Sequence, residues 1–474
     1  MGEGMRKLKN LNPERVFYYF EEICKIPHGS GDTERISDFC EQFAIKHNLD
    51  YVREKIGNII IKKSASKGKE NSPTIIIQGH LDMVCEKNPD IDLDFLNDVI
   101  ELNTDGNFIF ANGTTLGGDD GIGVAIAMAI LENDEIQHPA LEVVFTVDEE
   151  TGMYGAQALD ASILKGKKLI NIDSEEEGVF TVSCAGGARA ELLVPVEFEE
   201  NLMPCYKIVI EGLQGGHSGV DIDKGRLNAN KVAANFLSKL KNIRIVSING
   251  GLKDNAIPSY CQVIVSSNLD FENIADNFVK NNRVYTDSKL CIRVDKTNFC
   301  NLAMTQNSTE NVIDFLKDVP NGIVKWSEDI NGLVETSLNL GVLKTDSNYI
   351  SASFAVRSSV NAEKHKLLNK LRKYVTKFNG KMIEEGHYPA WEYKNKSELR
   401  NKMLAAYKLM YGNEPKVIAI HAGLECGILS EKISGLDAVS IGPDMKDIHT
   451  PRERLSIASV KRVYEYIIKL LSII

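Results

Sequence analysis

The cysteines of this sequence lack any pairing pattern. There are nine of them, an odd number, and none belongs to a C-x-x-C pair. Disulfide frameworks and zinc ribbons need paired, regularly spaced cysteines, so the sequence argues against both. Free thiols fit a reducing compartment. A metal site in this chain would therefore have to be built from histidine and carboxylate side chains.

Positive charge and long apolar runs are also scarce. Lys and Arg total 55 against 66 Asp and Glu, which gives a formal net charge of −11. Nucleic-acid-binding proteins usually show a basic excess, so we expect no nucleic-acid partner. No apolar run approaches the roughly 18 residues that a membrane span needs. Residues 1–10 also lack the apolar stretch of a signal peptide. We therefore expect a cytoplasmic protein with no membrane partner.

The 474 residues suffice for two or three domains. Both ends of the chain alternate short apolar strands with helices, which is typical of an α/β layer. The middle combines half-exposed strands with longer polar helices, an α+β pattern. We predict an α/β domain from residues 1–186 and 388–474, with a second, α+β domain inserted at 187–387. Residues 121–132 are almost wholly apolar and predict a buried helix.

Histidines and carboxylates cluster where the predicted strands of the α/β domain end. The predicted strands are 74–77, 141–147, 168–173 and 437–441. His80 and Asp82 follow 74–77, and Asp148, Glu149 and Glu150 follow 141–147. Asp173 ends 168–173, His449 follows 437–441, and Asp119 precedes the buried helix. Open α/β sheets bind ligands outside the carboxyl ends of their strands. The pattern therefore predicts one shared site.

Each residue alone also has an ordinary interpretation. Asp119 could cap a helix, and residues 148–150 could form a solvated strand exit. The glycines of 117–123 could belong to a phosphate-binding turn, but no Lys follows in the P-loop position. Independent ordinary roles at several strand ends of one sheet would be a coincidence, and one shared site is the better explanation.

The residue types suit a pair of divalent ions. Two histidines and three carboxylates can hold two metals when one carboxylate bridges them. Mixed nitrogen and oxygen ligands favour zinc, with manganese or cobalt as alternatives. Because Glu149 and Glu150 are adjacent, one can ligate a metal while its neighbour holds a proton. A base beside a metal-bound water is what amide hydrolysis requires.

Six motifs of the chain resemble the co-catalytic zinc peptidases of the M20 family. They are GHLDMV at 79–84, LGGDDG at 116–121, DEETG at 148–152, NIDSEE at 171–176, GGHSG at 215–219 and HTPRE at 449–453. Three further motifs resemble the aminoacyl-histidine dipeptidase branch, also called Xaa-His dipeptidase or peptidase D. These are CAGG at 184–187, DNAIPS at 254–259 and HAGLECG at 421–427.

The resemblance implies a fold and a set of metal-site roles. It implies a catalytic α/β domain with a two-metal site at the strand ends and an inserted α+β lid. The implied roles are His80 and Asp173 on one metal, Glu150 and His449 on the other, Asp119 as the bridge, Asp82 orienting His80, and Glu149 as the general base. The family also has a cis peptide after the bridging residue, which predicts a cis Asp119–Asp120 bond here.

The same resemblance implies residues that contact the substrate. His217 of the lid would stabilise the developing oxyanion, although a surface His in a glycine-rich turn is an open alternative. Asn255 and Arg357 are candidates to hold the substrate carboxylate, with a structural ion pair as the alternative for Arg357. The remaining candidates follow a predicted strand, where backbone N–H groups could receive a carboxylate; they are His421, Gly423 and Glu425.

We therefore expect a dinuclear metallo-dipeptidase that hydrolyses Xaa-His dipeptides, with broader tolerance, through a metal-bound hydroxide and a glutamate base. The inserted domain is close to twice the length of the lid in smaller dimeric members, so His217 can act within one chain. A monomer and a homodimer are both compatible with this. The alternatives are another M20 amidohydrolase (a tripeptidase, an N-acyl amino acid hydrolase or a carboxypeptidase) or a non-catalytic binding protein on the same scaffold.

Overall fold

The computed structural model describes residues 6–474, apart from the side chain of Glu272. The helices carry their apolar residues on buried faces. In chain order the α-helices of the described residues are α1 (Glu14–Ile23), α2 (Glu34–Lys46), α3 (Gly118–Glu132), α4 (Tyr154–Ala158), α5 (Ala229–Leu237), α6 (Glu272–Asn282), α7 (Gln306–Asp318), α8 (Asn361–Thr376), α9 (Glu398–Tyr411), α10 (Glu425–Lys432) and α11 (Ile457–Ile473).

Within the described residues the strands fall into two large sheets and three small ones. In chain order they are β1 (Asp50–Arg53), β2 (Ile59–Lys63), β3 (Ile75–His80), β4 (Leu102–Thr104), β5 (Phe108–Ala111), β6 (Leu141–Thr146), β7 (Lys168–Asn171), β8 (Val179–Cys184), β9 (Gly186–Pro195), β10 (Phe198–Glu200), β11 (Cys205–Glu211), β12 (Gly216–His217), β13 (Ile243–Gly250), β14 (Ala256–Ile257), β15 (Cys261–Ser267), β16 (Cys291–Lys296), β17 (Leu302–Met304), β18 (Gly322–Trp326), β19 (Val334–Thr345), β20 (Tyr349–Ser358), β21 (Lys381–Tyr388), β22 (Lys416–Ile420), β23 (Asp437–Ser440), β24 (Met445–Lys446) and β25 (Arg454–Ser456).

The described chain divides into two compact units. The first contains the chain up to Ser183 with Tyr393–Ala419 and Leu424–Ile474, and the second contains Cys184–Glu392 and Ile420–Gly423. The functions of these units as catalytic domain and lid stay predictions.

The first unit is built on an eight-stranded mixed sheet with the order β1-β2-β6-β3-β7-β23-β8-β22. Its centre is parallel: β3 pairs with β6 and β7, and β7 pairs with β23. The apolar residues of β3 and β6 are fully buried, as expected for parallel strands covered on both faces. The edge strand β1 and the adjacent strand β2 run antiparallel to their neighbours. The predicted α/β layer is therefore present.

The predicted buried helix is α3. Every residue of α3 except Glu132 is buried, and the helix packs against α1 and β3. It begins at Gly118 rather than at residue 121, and Asp119 and Asp120 keep non-helical backbone angles inside its first turn. The peptide bond between these two aspartates is cis, which confirms that expectation.

The second unit contains a nine-stranded antiparallel sheet. Its order is β16-β11-β15-β13-β19-β20-β9-β21, with β18 paired to β19. Residues of α5, α6, α7 and α8 share one apolar core with these strands. Within residues 6–474, none of the helices combines the length and the apolar character that crossing a membrane requires.

Candidate functional site

The parallel register of the first sheet brings polar residues to one edge. His80, the last residue of β3, lies opposite Thr146 at the end of β6, and Gln78 lies opposite Asn171 at the end of β7. The chain leaves β3 and β6 at the same level, and it leaves β7 two residues earlier along the sheet. The segments that follow supply Glu149 and Glu150 after β6, Asp173 after β7, and His449 between β24 and β25.

Asp119 lies between two histidines, with one carboxylate oxygen toward each. Its Oδ1 is 3.1 Å from Nε2 of His80, and its Oδ2 is 3.0 Å from Nε2 of His449. Asp119 is only 9% exposed, and each of its two oxygens contacts one of the histidines. A carboxylate that presents one oxygen to each of two nitrogen ligands has the arrangement of a bridging ligand.

One further carboxylate completes each side of Asp119. Asp173 Oδ1 is 3.5 Å from Nε2 of His80, and Glu150 Oε1 is 2.8 Å from Nε2 of His449. The ligand atoms of each three-residue group lie within 4.8 Å of one another. Ligands of a tetrahedral zinc ion, bound at 2.0–2.1 Å, lie roughly 3.3 Å apart. The donor types and spacings thus fit two divalent cations.

The hydrogen bond at Nδ1 of His80 determines which ring nitrogen is free to ligate. Nδ1 lies 2.9 Å from the backbone carbonyl oxygen of Asp82, which can only accept. Nδ1 therefore carries the proton of the neutral ring, and Nε2 presents a lone pair toward Asp119 and Asp173. Such a second contact is typical of metal-ligating histidines.

The carboxylate of Asp82 lies beside the ring of His80, as predicted, and also holds the segment that carries both glutamates. Its Oδ1 is 3.6 Å from Nδ1 of His80, beyond hydrogen-bond distance. The carboxylate accepts the backbone N–H groups of Glu149 at 2.9 Å and Glu150 at 3.3 Å, and the hydroxyl of Ser30 at 2.8 Å. Because the chain turns after His80, the main-chain carbonyl of Asp82 meets the imidazole. The side chain fixes the segment that carries both glutamates.

The crowding of acidic groups shifts their protonation. Burial, together with the charges of Asp173 and Glu425, raises the pKa of Glu149 well above its ordinary value against the opposing charge of His80. Burial and the charge on Asp119 raise the pKa of Asp173 to about 6. Hydrogen bonds to Asp119 and Glu150 raise the pKa of His449 to about 10. Cations bound among these carboxylates would relieve their repulsion.

Five of the predicted substrate residues belong to the second unit, namely His217, Asn255, Arg357, His421 and Gly423. His217 pairs with Ala256 between β12 and β14, and the backbone carbonyl of the exposed Asn255 accepts the N–H of Ser218 at 2.8 Å. His421 is buried, with Nε2 2.7 Å from the hydroxyl of Ser337.

The ring of His217 presents a donor. Its Nδ1 accepts the backbone N–H groups of Gly219 and Val220 at 3.2 and 3.3 Å, so in the neutral ring the proton is on Nε2. Burial and the nearby charge of Arg357 lower the pKa of His217, and the neutral form is therefore favoured. The structure thus offers an Nε2–H group for a hydrogen bond.

Arg357 is 9% exposed and has few partners. Its Nη1 donates to the hydroxyl of Tyr388 at 3.0 Å, whereas its buried Nε has no hydrogen-bond partner. In the part of the chain that the structure describes, Arg357 forms no salt bridge, so the alternative of a structural ion pair is not met. A cavity of about 320 Å³ is lined by Arg357, Asn255 and Tyr388, among others.

Gly423 and Glu425 are the last two predicted substrate residues. Gly423 is half-buried and lies in Ile420–Gly423, the short segment of the second unit. Glu425 begins α10 in the first unit and is fully buried. Its Oε2 accepts hydrogen bonds from Gln78 Nε2 at 2.5 Å and Thr146 Oγ1 at 2.6 Å. A substrate contact for Glu425 stays a prediction, and its contacts in the structure support the sheet.

Glu453 has no role among those that the sequence predicts, and the structure places it beside the candidate metal ligands. Its carboxylate accepts hydrogen bonds from the backbone that leads into Asp119. The signal was available, because Glu453 closes the HTPRE motif that begins with His449. The sequence does not indicate the hydrogen-bond partners of Glu453, which are more than 330 residues away along the chain.

Comparison with known proteins identifies the family. Residues 76–472 match the model of peptidase family M20/M25/M40, and the chain belongs to this family. It is similar to the cytosol non-specific dipeptidase of Escherichia coli (strain K12), with 34% identity over 98% of this chain and 99% of the relative.

Solved structures agree with this assignment. The fold is similar to the crystal structure of aminoacylhistidine dipeptidase from Vibrio alginolyticus, with a TM-score of 0.91, 34% identity, and coverage of 100% and 99% of the two chains. The aminopeptidase PepT from Bacillus cereus shares the fold at a TM-score of 0.57 and 16% identity, with 98% of each chain covered. The resemblance drawn from the sequence motifs is confirmed.

Proposed function

We propose that this protein is a cytosolic, two-metal dipeptidase that hydrolyses Xaa-His dipeptides and tolerates other dipeptides. The observation that carries the proposal is Asp119, whose two oxygens each face a different histidine at 3.0–3.1 Å. The printed names of the Escherichia coli and Vibrio relatives, a non-specific dipeptidase and an aminoacylhistidine dipeptidase, support dipeptides as the substrate class.

The proposed ligands form two sets that share Asp119. His80 and Asp173 would hold one ion, and Glu150 and His449 the other. We propose zinc, with manganese or cobalt as alternatives, because the donors are imidazole nitrogen and carboxylate oxygen. When bound, such ions supply Lewis-acid polarisation of the scissile carbonyl and acidify a water molecule.

We propose that Glu149 transfers a proton from the attacking water to the leaving amine. Its carboxylate has an atom within 4.8 Å of ligand atoms of His80 and Glu150, and Asp82 holds its backbone at 2.9 Å. Glu149 would take a proton from the attacking water at its carboxylate oxygen. It would then deliver that proton to the leaving amine nitrogen, so that the C–N bond breaks without expelling an amide anion.

We propose that the second unit recognises the free carboxylate of the dipeptide. The buried guanidinium of Arg357 has an unpartnered Nε and faces a cavity of about 320 Å³, near the lower end of the roughly 300–1,000 Å³ typical of small-ligand sites. Asn255 lines the same cavity. His217, with its Nε2–H group, is proposed to stabilise the oxygen of the tetrahedral intermediate.

A substrate panel tests the proposed function. Xaa-His dipeptides, other dipeptides, tripeptides and N-acetylated amino acids are each incubated with the zinc-loaded protein, and released amino acids are quantified. We expect dipeptides to be hydrolysed, activity to fall to background after chelation, and zinc, manganese or cobalt to restore it to differing extents. Faster turnover of tripeptides or N-acetylated amino acids would favour the other M20 activities. Failure to hydrolyse any dipeptide would reject the proposal.

Replacement of Arg357 by Ala tests the carboxylate site. A hydrogen bond to a charged group contributes roughly 1.5–3 kcal/mol, so we expect KM for dipeptides to rise by one to two orders of magnitude. The variant should also lose the preference for a dipeptide over the same dipeptide with a C-terminal amide. Arg189 lines the same cavity but pairs with Asp254 at 3.6 Å and is half-exposed, so Arg189→Ala is the matched control. Unchanged discrimination in Arg357→Ala would exclude this role.

The location and assembly complete the proposal. A cytosolic location is supported by the printed name of the Escherichia coli relative. We propose a monomer or a homodimer, with a dipeptide as the partner. The acidic net charge of −11 gives no support to a nucleic-acid partner.

A further inference from the structure

The carboxylate of Glu453 is surrounded by four consecutive backbone N–H groups. Its Oε2 accepts from Leu116 at 2.7 Å and Gly117 at 3.3 Å, and its Oε1 accepts from Gly118 at 2.8 Å and Asp119 at 3.3 Å. Glu453 is only 3% exposed. Both oxygens are therefore fully used by the main chain that leads into the proposed bridging ligand.

The turn at 116–119 is shaped to enclose this carboxylate. Gly117 has a φ of +72°, in the left-handed region that favours glycine. A Cβ on Gly118 would lie 3.0 Å from Oε1 of Glu453. Two of these amides, those of Gly118 and Asp119, belong to the first turn of α3, where N–H groups lack intrahelical partners and a negative charge is favourable.

The backbone of Glu453 belongs to the short loop that carries His449. Its N–H donates to the carbonyl of Thr450 at 3.1 Å, and the Thr450 hydroxyl donates to the carbonyl of Asp447 at 2.7 Å. The loop is thus closed on itself, with His449 near one end and Glu453 at the other. One side chain therefore ties the backbone of Asp119 to the backbone of His449.

We propose that Glu453 is a positioning residue that sets the spacing between Asp119 and His449, and with it the affinity of the ion held by His449 and Glu150. This inference rests on the proposed two-metal function. Glu453 itself contacts neither metal nor substrate, because its oxygens are occupied by amides. It acts through the 3.0 Å approach of His449 Nε2 to Asp119 Oδ2.

The test is the metal affinity of Glu453→Gln, measured by competition with a chromophoric chelator and by metal content after dialysis. The substitution keeps the side-chain shape but removes the charge and places an NH2 group against N–H donors. Loss of a residue that supports metal ligands typically lowers affinity 10–100-fold. We expect such a loss at one of the two ions, with the other within a few-fold of the wild type. At saturating metal, KM should stay unchanged.

The alternative is that Glu453 only caps α3. In that case both ions keep their wild-type affinity while the unfolding temperature of the metal-free protein falls, and this result would overturn the proposal. An equal loss of both ions would overturn it as well. Glu465→Gln, on the exposed face of α11, is the matched control and should change neither quantity.

Two further variants keep the test decisive if Glu453→Gln does not fold. Gly118→Ala leaves Glu453 in place but crowds its Oε1, so it should reproduce the selective loss of one ion. Glu453→Asp retains the charge on a shorter side chain and should give an intermediate loss. Cobalt-substituted protein adds a spectroscopic signature, because the absorption of only one of two cobalt ions should change.

The wild-type measurement separates this inference from the proposed function. If the wild type fails to bind two divalent ions or to hydrolyse dipeptides, the proposed function fails. If the wild type does both and Glu453→Gln has unaltered metal binding, only the role of Glu453 fails.

Discussion

Glu149→Gln is expected to stop dipeptide hydrolysis while both metal ions stay bound. The amide keeps the size of the side chain but cannot take a proton from water at neutral pH. General-base catalysis contributes typically 10²–10⁴-fold, so kcat should fall by about that factor. The measurement is kcat on a Xaa-His dipeptide, combined with metal content by elemental analysis of the same sample.

The adjacent glutamate is the natural comparison. Glu150 Oε1 lies 2.8 Å from Nε2 of His449, so Glu150→Gln should lose activity through loss of one ion. Glu176→Gln, on an exposed side chain, should behave as the wild type. If Glu149→Gln remained active, or if it lost metal as Glu150→Gln does, the assignment of the base would be wrong.

Asp119→Asn is expected to have the largest effect on the metal centre. An amide has one oxygen, so it cannot present an anionic ligand to both His80 and His449. We expect the bound metal to fall from two ions to at most one, and hydrolysis to drop below detection. The holo protein should also lose much of the thermal stabilisation that metal addition gives, because bound ligand stabilises the folded state by mass action.

Asp120→Asn makes the same chemical change one residue later. Asp120 Oδ2 accepts the backbone N–H of His80 at 3.2 Å, and the oxygen of an amide can make the same bond. This variant should therefore retain two ions. Retention of two ions by Asp119→Asn would remove the basis for a bridging role.

The sequence was sufficient to predict the elements that position the site. The apolar runs of β3, β6 and β7 identify buried parallel strands, and the rule that ligands bind at their carboxyl ends directs attention to His80, Glu150 and Asp173. The nearly complete apolar character of α3 likewise predicts its burial. These predictions depend on the local composition of each segment, and tertiary packing has not changed the secondary structure that this composition favours.

Contacts between distant segments could not be predicted in the same way. The carboxylate of Asp82 lies beside the ring of His80 and also holds the backbone of Glu149 and Glu150. The second contact depends on how two loops approach each other. The four hydrogen bonds of Glu453 and the burial of Glu425 against Gln78 are of the same kind. Each joins segments separated by tens to hundreds of residues, so no periodicity or spacing in the sequence encodes it.

Gly79 opens the GHLDMV motif, and the structure shows why this position needs a glycine. A Cβ at this position would lie 2.2 Å from Oδ2 of Asp120. The glycine is therefore required by the close approach of the aspartate to β3. A side chain there would push the Asp119 segment away from His80.

The proposed ligands are spread from His80 to His449, and the whole second unit lies between Asp173 and His449 in the chain. During translation His80, Asp119, Glu150 and Asp173 leave the ribosome long before His449 does. The ligand group of Asp119, Glu150 and His449 is consequently incomplete until nearly all of the chain has been synthesised. A nascent or prematurely terminated polypeptide would thus lack a complete hydrolytic centre, so the order of synthesis itself would delay activity until both units have been made.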